Sequence, residues 1–132
     1  MRLSGVSPEV QLHVAGVIES AANEVLTRGW HQGAFHREGS SSVCTATAIM
    51  IAAGLVSTPR GADVGFMSME EYEAVQGDLA IVAFAQYLGN TGGSKTATIW
   101  LWNDTEARTE DEVLTALMSC AESLRSGIRV AA

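Results

Sequence analysis

The sequence predicts an all-α fold: a compact single domain of four main helices plus one short element. Three observations carry this expectation. Apolar residues recur at three- and four-residue steps through several long stretches. Two of the stretches open on a serine or threonine with glutamate three places on, the pattern of a capping box. The one segment that alternates as a strand would, Thr96 to Trp102, finds no partner strand elsewhere in the chain.

The first helix is expected over 8–28. Ser7 can cap its free amides, Pro8 suits the first helical position, and Glu9 meets the positive end of the helix dipole. Val10, Val14, Val17, Ile18, Ala21, Val25 and Leu26 then form an apolar stripe, and Gly29 is the stop. Residues 30–42 have no period and read as a loop. A second helix is expected over 43–55, capped by Ser42. It is apolar nearly all round, so it should be the most buried element. A second loop, 57–67, carries Pro59, Gly61 and Gly65.

Ser68 with Glu71 opens a third helix, 68–88, which Gly77 can kink or divide. A glycine-rich turn, 89–94, precedes the short element at 95–102, read as a helix capped by Ser94. Thr109 with Glu112 opens the last helix, 109–126, whose stripe runs Val113, Leu117, Ala121, Leu124 and Ile128. A chain of 132 residues is one domain and too short for two ordinary ones, with an ordered core at about 8–126. Nineteen alanines and 13 glycines stand beside eight aromatics, so the core must be built from small aliphatic side chains.

Charge narrows the function classes. The formal net charge is −7, which argues against a nucleic-acid binder driven by phosphate neutralisation. Residues 63–112 hold ten acids and two bases, an acidic surface that either keeps the chain soluble or docks a basic partner. The longest apolar stretch, Ala46 to Val56, falls well short of the roughly 20 residues that span a bilayer, and the opening residues lack a signal-peptide core. Cys44 and Cys120, both in helix-like apolar stretches, read as reduced thiols of a cytoplasmic protein. The last helix's apolar stripe continues through Val130 to Ala131 and Ala132, beyond what a four-helix core needs, which favours a symmetric homodimer.

Four constellations bear on chemistry. Gly89 to Thr96 resembles a phosphate-binding P-loop, except that Ser94 replaces the glycine before the lysine. A helix rather than a strand precedes it, so it reads as a turn, and no cofactor is expected. Cys44 falls near a helix start, where dipole and amides lower a thiol pKa. His31 or His36 can serve it as base, with Asp104 or Asn103 orienting the imidazole. Those are the parts of a small thiol enzyme, which requires an exposed Cys44 within reach of a histidine. The opposing expectation packs Cys44 as a small hydrophobe and turns both histidines to solvent. His31, His36 and Cys44 match no zinc spacing, so no metal site is expected.

The remaining two constellations are Trp30-His31-Gln32-Gly33, after the first helix, and Trp100-Leu101-Trp102-Asn103-Asp104, before the last, with Arg108 four residues on. A loop tryptophan needs packing for its ring and an acceptor for its N–H. The clusters can form a latch that pins the helix junctions, or a ligand or partner site there. Trp30, Gln32, Trp102, Asn103, Asp104 and Arg108 are the candidate binding residues. Asp104 can pair with Arg108, or shape a turn with Asn103.

The same residues carry a family resemblance. Trp30-x-Gln32-Gly33, Cys44 before an alanine-rich helix, and Trp102-Asn103-Asp104-x3-Arg108-Thr109-x2-Glu112-Val113 resemble a small uncharacterised domain of actinobacteria and their phages, over about residues 10–125. Thr45-Ala46-Thr47-Ala48 departs from that pattern, where leucine and glycine would follow the alanine. The resemblance implies no activity, only an actinobacterial or phage setting, which the seven arginines against one lysine match. With no convincing catalytic constellation, no cofactor motif and no basic patch, the expected function is a non-enzymatic acidic helical interaction protein, in a phage a modulator of a host process acting in the host cytoplasm. It would bind a protein partner, through the acidic segment if that partner is basic. The alternative is the thiol enzyme at Cys44.

Overall fold

The first helix, α1 (Pro8–Arg28), starts and stops where its sequence signals lie. The Val10 N–H donates to Ser7 Oγ at 3.2 Å, and Gly29, at φ +88°, ends the helix with its N–H on the Val25 carbonyl. The fold is that of a computed structural model, which describes residues 1–90 and 92–131, with side chains through Ile128. The buried face of α1 is rotated from the expected stripe. Gln11, Val14, Ala15, Ile18, Ala21, Ala22 and Val25 are buried, whereas Val10 is 41% and Leu26 66% exposed. Two different neighbours explain the shift: α1 packs both on the last helix and on the second, so small alanines lie inward.

The second helix, α2 (Thr45–Ala52), is shorter than the expected 43–55. Val43 is held out of it by a parallel bridge to Trp30: its N–H donates to the Gly29 carbonyl, and its carbonyl accepts the His31 N–H, both at 3.0 Å. Cys44, extended at φ −85° and ψ 171°, is the cap residue in place of Ser42. Thr45 to Met50 are all buried, and the helix lies against α1 and two later helices. The loop that follows contains two short 3₁₀ turns, Pro59–Ala62 and Val64–Phe66.

The expected third helix is two helices, α3 (Met69–Gly77) and α4 (Leu79–Tyr87). The divider is Asp78. Its backbone is extended, and its carboxylate accepts from the Ala80 and Ile81 N–H groups, which caps α4. Both halves of the Ser68–Glu71 capping box form. The ambiguous segment is a helix, α5 (Lys95–Asn103), capped by Ser94 through the Ala97 N–H. The last helix, α6 (Glu110–Ala131), opens on the Thr109–Glu112 box and runs past the expected end at 126. Six helices and no strand therefore make up the described residues, rather than four helices and a short element.

The helices enclose one core cluster, with Ile18, Val25, Ile49, Met50, Phe84, Ile99, Leu117 and Leu124 fully buried in it. The pairing of α1 with α6 is the most extensive. Gln11 ties the two together with the start of the chain. Its amide donates to the Met1 and Leu124 carbonyls, each at 2.8 Å, and its oxygen accepts the Leu3 N–H at 2.9 Å. Gly127 lets the start of the chain lie against α6, since a Cβ there would lie 2.0 Å from the Met1 carbonyl oxygen. Val130, Ala131 and Ala132, on which the dimer expectation leaned, lie outside the described side chains.

Candidate functional site

The two tryptophan clusters meet where the C-terminal end of α5 abuts the N-terminal end of α2. Asn103, the last residue of α5, is completely buried between them. Its Oδ1 accepts from Trp30 Nε1 at 2.7 Å, from the Thr45 N–H at 2.9 Å and from the Thr45 hydroxyl at 2.6 Å. Its Nδ2 donates to the His31 carbonyl at 3.2 Å and to Asp104 Oδ1 at 3.0 Å. Asp104 Oδ1 also accepts the Gly33 N–H at 2.9 Å. Gln32 Nε2 reaches the Asn103 and Thr105 carbonyls at 2.9 and 3.0 Å, so it covers the open end of α5. Four candidate binding residues, Trp30, Gln32, Asn103 and Asp104, are thus tied to one another or to backbone.

Trp102 and Arg108 stand apart from this network. The Trp102 ring meets Phe84 edge-on, with centroids 5.6 Å apart. The Arg108 guanidinium lies 4.3 Å over the same ring, a cation–π contact. Arg108 Nε donates to the Trp102 carbonyl at 3.1 Å, and Nη1 pairs with Glu112 at 3.2 Å. The expected Asp104–Arg108 pair is therefore replaced. Asp104 is turned to Gly33 and Asn103, and Glu112, one helical turn beyond Arg108, is its ion partner. Beside this pair runs an open groove of about 390 Å³, walled by Tyr87, Trp102, Arg108, Asp111, Glu112 and Ala116. Tyr87, Asp111 and Ala116 were missed from the sequence. Tyr87 lies far from the motifs, and Asp111 reads there only as part of a helix start.

The thiol constellation is not assembled. Cys44 is fully buried, and its Sγ lies 3.3 Å from the Thr47 hydroxyl. Burial pushes its thiol pKa up, opposing any gain from the helix start. His31 is buried rather than turned to solvent, with Nε2 2.7 Å from the Ala34 carbonyl and Nδ1 2.8 Å from Ser42 Oγ. A carbonyl only accepts, so Nε2 carries the proton and Nδ1 takes the serine hydroxyl. Burial lowers the His31 pKa. His36 Nε2 faces Glu38 at 3.5 Å. His31 is held within its own loop through both ring nitrogens, the Trp30–Val43 bridge closing residues 31–42 into that loop, whereas His36 faces Glu38. Among the described residues no three His, Cys, Asp or Glu side chains converge as metal ligands.

The P-loop-like segment is likewise occupied from within the chain. Gln76 Oε1, from α3, accepts the Lys95 N–H at 2.7 Å and the Thr96 N–H at 3.2 Å. Those are amides that a phosphate would need at this helix start. No helix among the described residues is long and apolar enough to cross a membrane.

A family model described as a family of unknown function, DUF6197, fits residues 9–123. No curated protein and no solved structure matches the chain. With most of its length covered, the chain belongs to this family of unknown function.

Proposed function

We propose that the protein is a non-enzymatic interaction module that docks a basic segment of a protein partner in the groove beside Trp102. The observation that carries this reading is the pairing of two aromatic side chains, Trp102 and Tyr87, with the Asp111 and Glu112 carboxylates in one open groove. Arg108 already covers Trp102 and pairs with Glu112, so an incoming arginine or lysine side chain would meet the Tyr87 ring and the Asp111 carboxylate beside them. The groove also lies at the end of the 63–112 segment, whose ten acids against two bases would steer a cationic partner inward. In the actinobacterial or phage setting that the sequence resemblance implies, the partner would be a host protein, met in the host cytoplasm.

The test is a pull-down from an actinobacterial lysate at low and high salt, with wild-type protein and Thr115→Arg as baits. Thr115 is exposed on α6 at the groove, so the substitution fills and recharges the groove without touching the core. A partner held by wild type at low salt, and lost both at high salt and by the variant, is the expected result. Capture that is indifferent to Thr115→Arg removes the groove from the reading, and turnover in a broad substrate screen removes the non-enzymatic assignment. A homodimer belongs to the same proposal, supported by the exposed Leu12, Leu26 and Met118 on α1 and α6. Light scattering should give twice the 13.9 kDa of the chain, and a constant 13.9 kDa across concentrations excludes the dimer.

A further inference from the structure

A second, separate cleft lies where residues 36–40 face the Pro59 turn. It has a volume of about 240 Å³, and His36, Arg37, Glu38, Ser40, Thr58 and Arg60 line it. Its charge runs against the rest of the chain. Two of the eight basic residues of a chain with net charge −7 converge here, one from each wall. Neither has a carboxylate partner among the described residues. Arg37 donates to the Gln32 carbonyl at 3.0 Å, and the arginine–carboxylate pairs go instead to Arg28, Arg108 and Arg125. Arg60 makes no side-chain hydrogen bond at all to the described residues, and its side chain is exposed. The one carboxylate at the cleft, Glu38, is 90% exposed and faces His36 Nε2 at 3.5 Å. His36 adds an anomaly of its own. Its Nδ1 is buried without a hydrogen-bond partner, an unmet capacity that folded proteins rarely leave.

We propose that this cleft binds the phosphate group of a small molecule. An arginine on each wall suits a tetrahedral dianion, because guanidinium N–H donors from two sides can reach different phosphate oxygens. A carboxylate brings a single charge and two oxygens in one plane, a poorer match to two guanidinium groups than a phosphate's charge and three or more oxygens. The Thr58 hydroxyl, which makes no hydrogen bond to described residues, supplies a further donor at the mouth. Binding here is independent of the groove beside Trp102, which shares no residue with it.

The test is a titration of isotopically labelled protein with inorganic phosphate, phenyl phosphate and acetate at constant ionic strength, followed by amide shifts. Saturable shifts at residues 36–40, Thr58 and Arg60 with the phosphates, and none with acetate, are expected. Tighter binding of phenyl phosphate would identify a phosphate ester as the ligand, and equal binding of both would identify the free anion. Arg60→Gln should weaken the phosphate affinity at least about tenfold, since a charge-assisted hydrogen bond is lost from a side chain that makes no hydrogen bond or ion pair to the described residues. Arg125→Gln, the same charge change outside the cleft, should leave it unchanged. Shifts that never saturate, acetate binding as tight as phosphate, or equal losses in both variants would each overturn the proposal.

Discussion

Asn103 caps a helix to which it does not belong. Its Oδ1 accepts the Thr45 N–H at 2.9 Å, 58 residues away in sequence, where no side chain of the α2 start makes that bond. The same oxygen holds Trp30 Nε1. One amide therefore fixes the start of α2, the end of α5 and the loop after α1. Its bonds to Thr45 and to the His31 carbonyl are buried, so its removal strands several polar groups at once.

Asn103→Leu should accordingly destabilise the fold by about 3 kcal/mol or more, from at least two buried donors left unmet at roughly 1–3 kcal/mol each. Trp30→Phe, which removes one donor and leaves the ring largely in place, should lose about 1 kcal/mol. Urea unfolding of both variants and of the double variant checks this. Additive losses would show that the two residues act separately, and a coupling energy near zero would sink the hub.

The local parts of this arrangement were legible in the sequence, and the long-range part was not. Ser7, Ser68, Ser94 and Thr109 cap helices through hydrogen bonds to residues three places on, and such signals survive in a single chain. Trp30, Gln32, Asn103 and Asp104 stood out as polar and aromatic residues at helix junctions, and the structure brings them together. Two boundaries were not legible. Val43 has helical neighbours but is claimed by the backbone of Gly29 and His31. Asp78 sits inside a periodic stretch, and only its extended backbone shows it to be a cap. The groove residues Tyr87 and Ala116 come from separate helices, so no local spacing links them to Trp102.

The thiols offer a sharp test between the interaction reading and a thiol enzyme. Both cysteines are buried, with the Cys44 pKa raised by burial and that of Cys120 pushed up to about 12 for the same reason. Native protein should therefore react slowly with iodoacetamide at both positions from about pH 5 to 9, and quickly once unfolded. Mass mapping of the labelled cysteine reads the outcome. Fast labelling of Cys44 near pH 6, lost in His31→Ala or His36→Ala, would restore the enzyme and overturn the non-enzymatic assignment.

His31 predicts the acid side of the stability profile. Its folded pKa lies below the usual 6.5 because burial disfavours the imidazolium. Below about pH 6.5 the unfolded chain takes up a proton that the folded chain resists, so the unfolded state gains. The contribution of His31 is complete above 6.5 and declines as pH falls towards the folded value, below which the loss is constant. His31→Gln should flatten this part of the profile, even though it also lowers stability at neutral pH. Urea midpoints for both proteins between about pH 7.5 and 5 provide the comparison. Parallel profiles would mean that His31 does not carry the effect.

The break between α3 and α4 makes a prediction of opposite signs at adjacent positions. Asp78 caps α4 by accepting two N–H groups, from Ala80 at 2.9 Å and Ile81 at 3.3 Å. Asp78→Ala should lose about 0.5–2 kcal/mol, the usual range for a helix cap. Gly77 is the last residue of α3, lies outside the left-handed region, and a Cβ there would meet nothing within 4 Å. Gly77→Ala should therefore stabilise the protein by about 0.4–1 kcal/mol, by restricting the unfolded chain more than the folded one. Both values are measurable as shifts in the urea midpoint at constant slope. If Gly77→Ala destabilised the protein and Asp78→Ala did nothing, the bend would rest on the freedom of the glycine rather than on the carboxylate. The extended backbone of Asp78, at φ −63° and ψ 132°, argues for the carboxylate: no helix passes through that conformation, whatever residue stands before it.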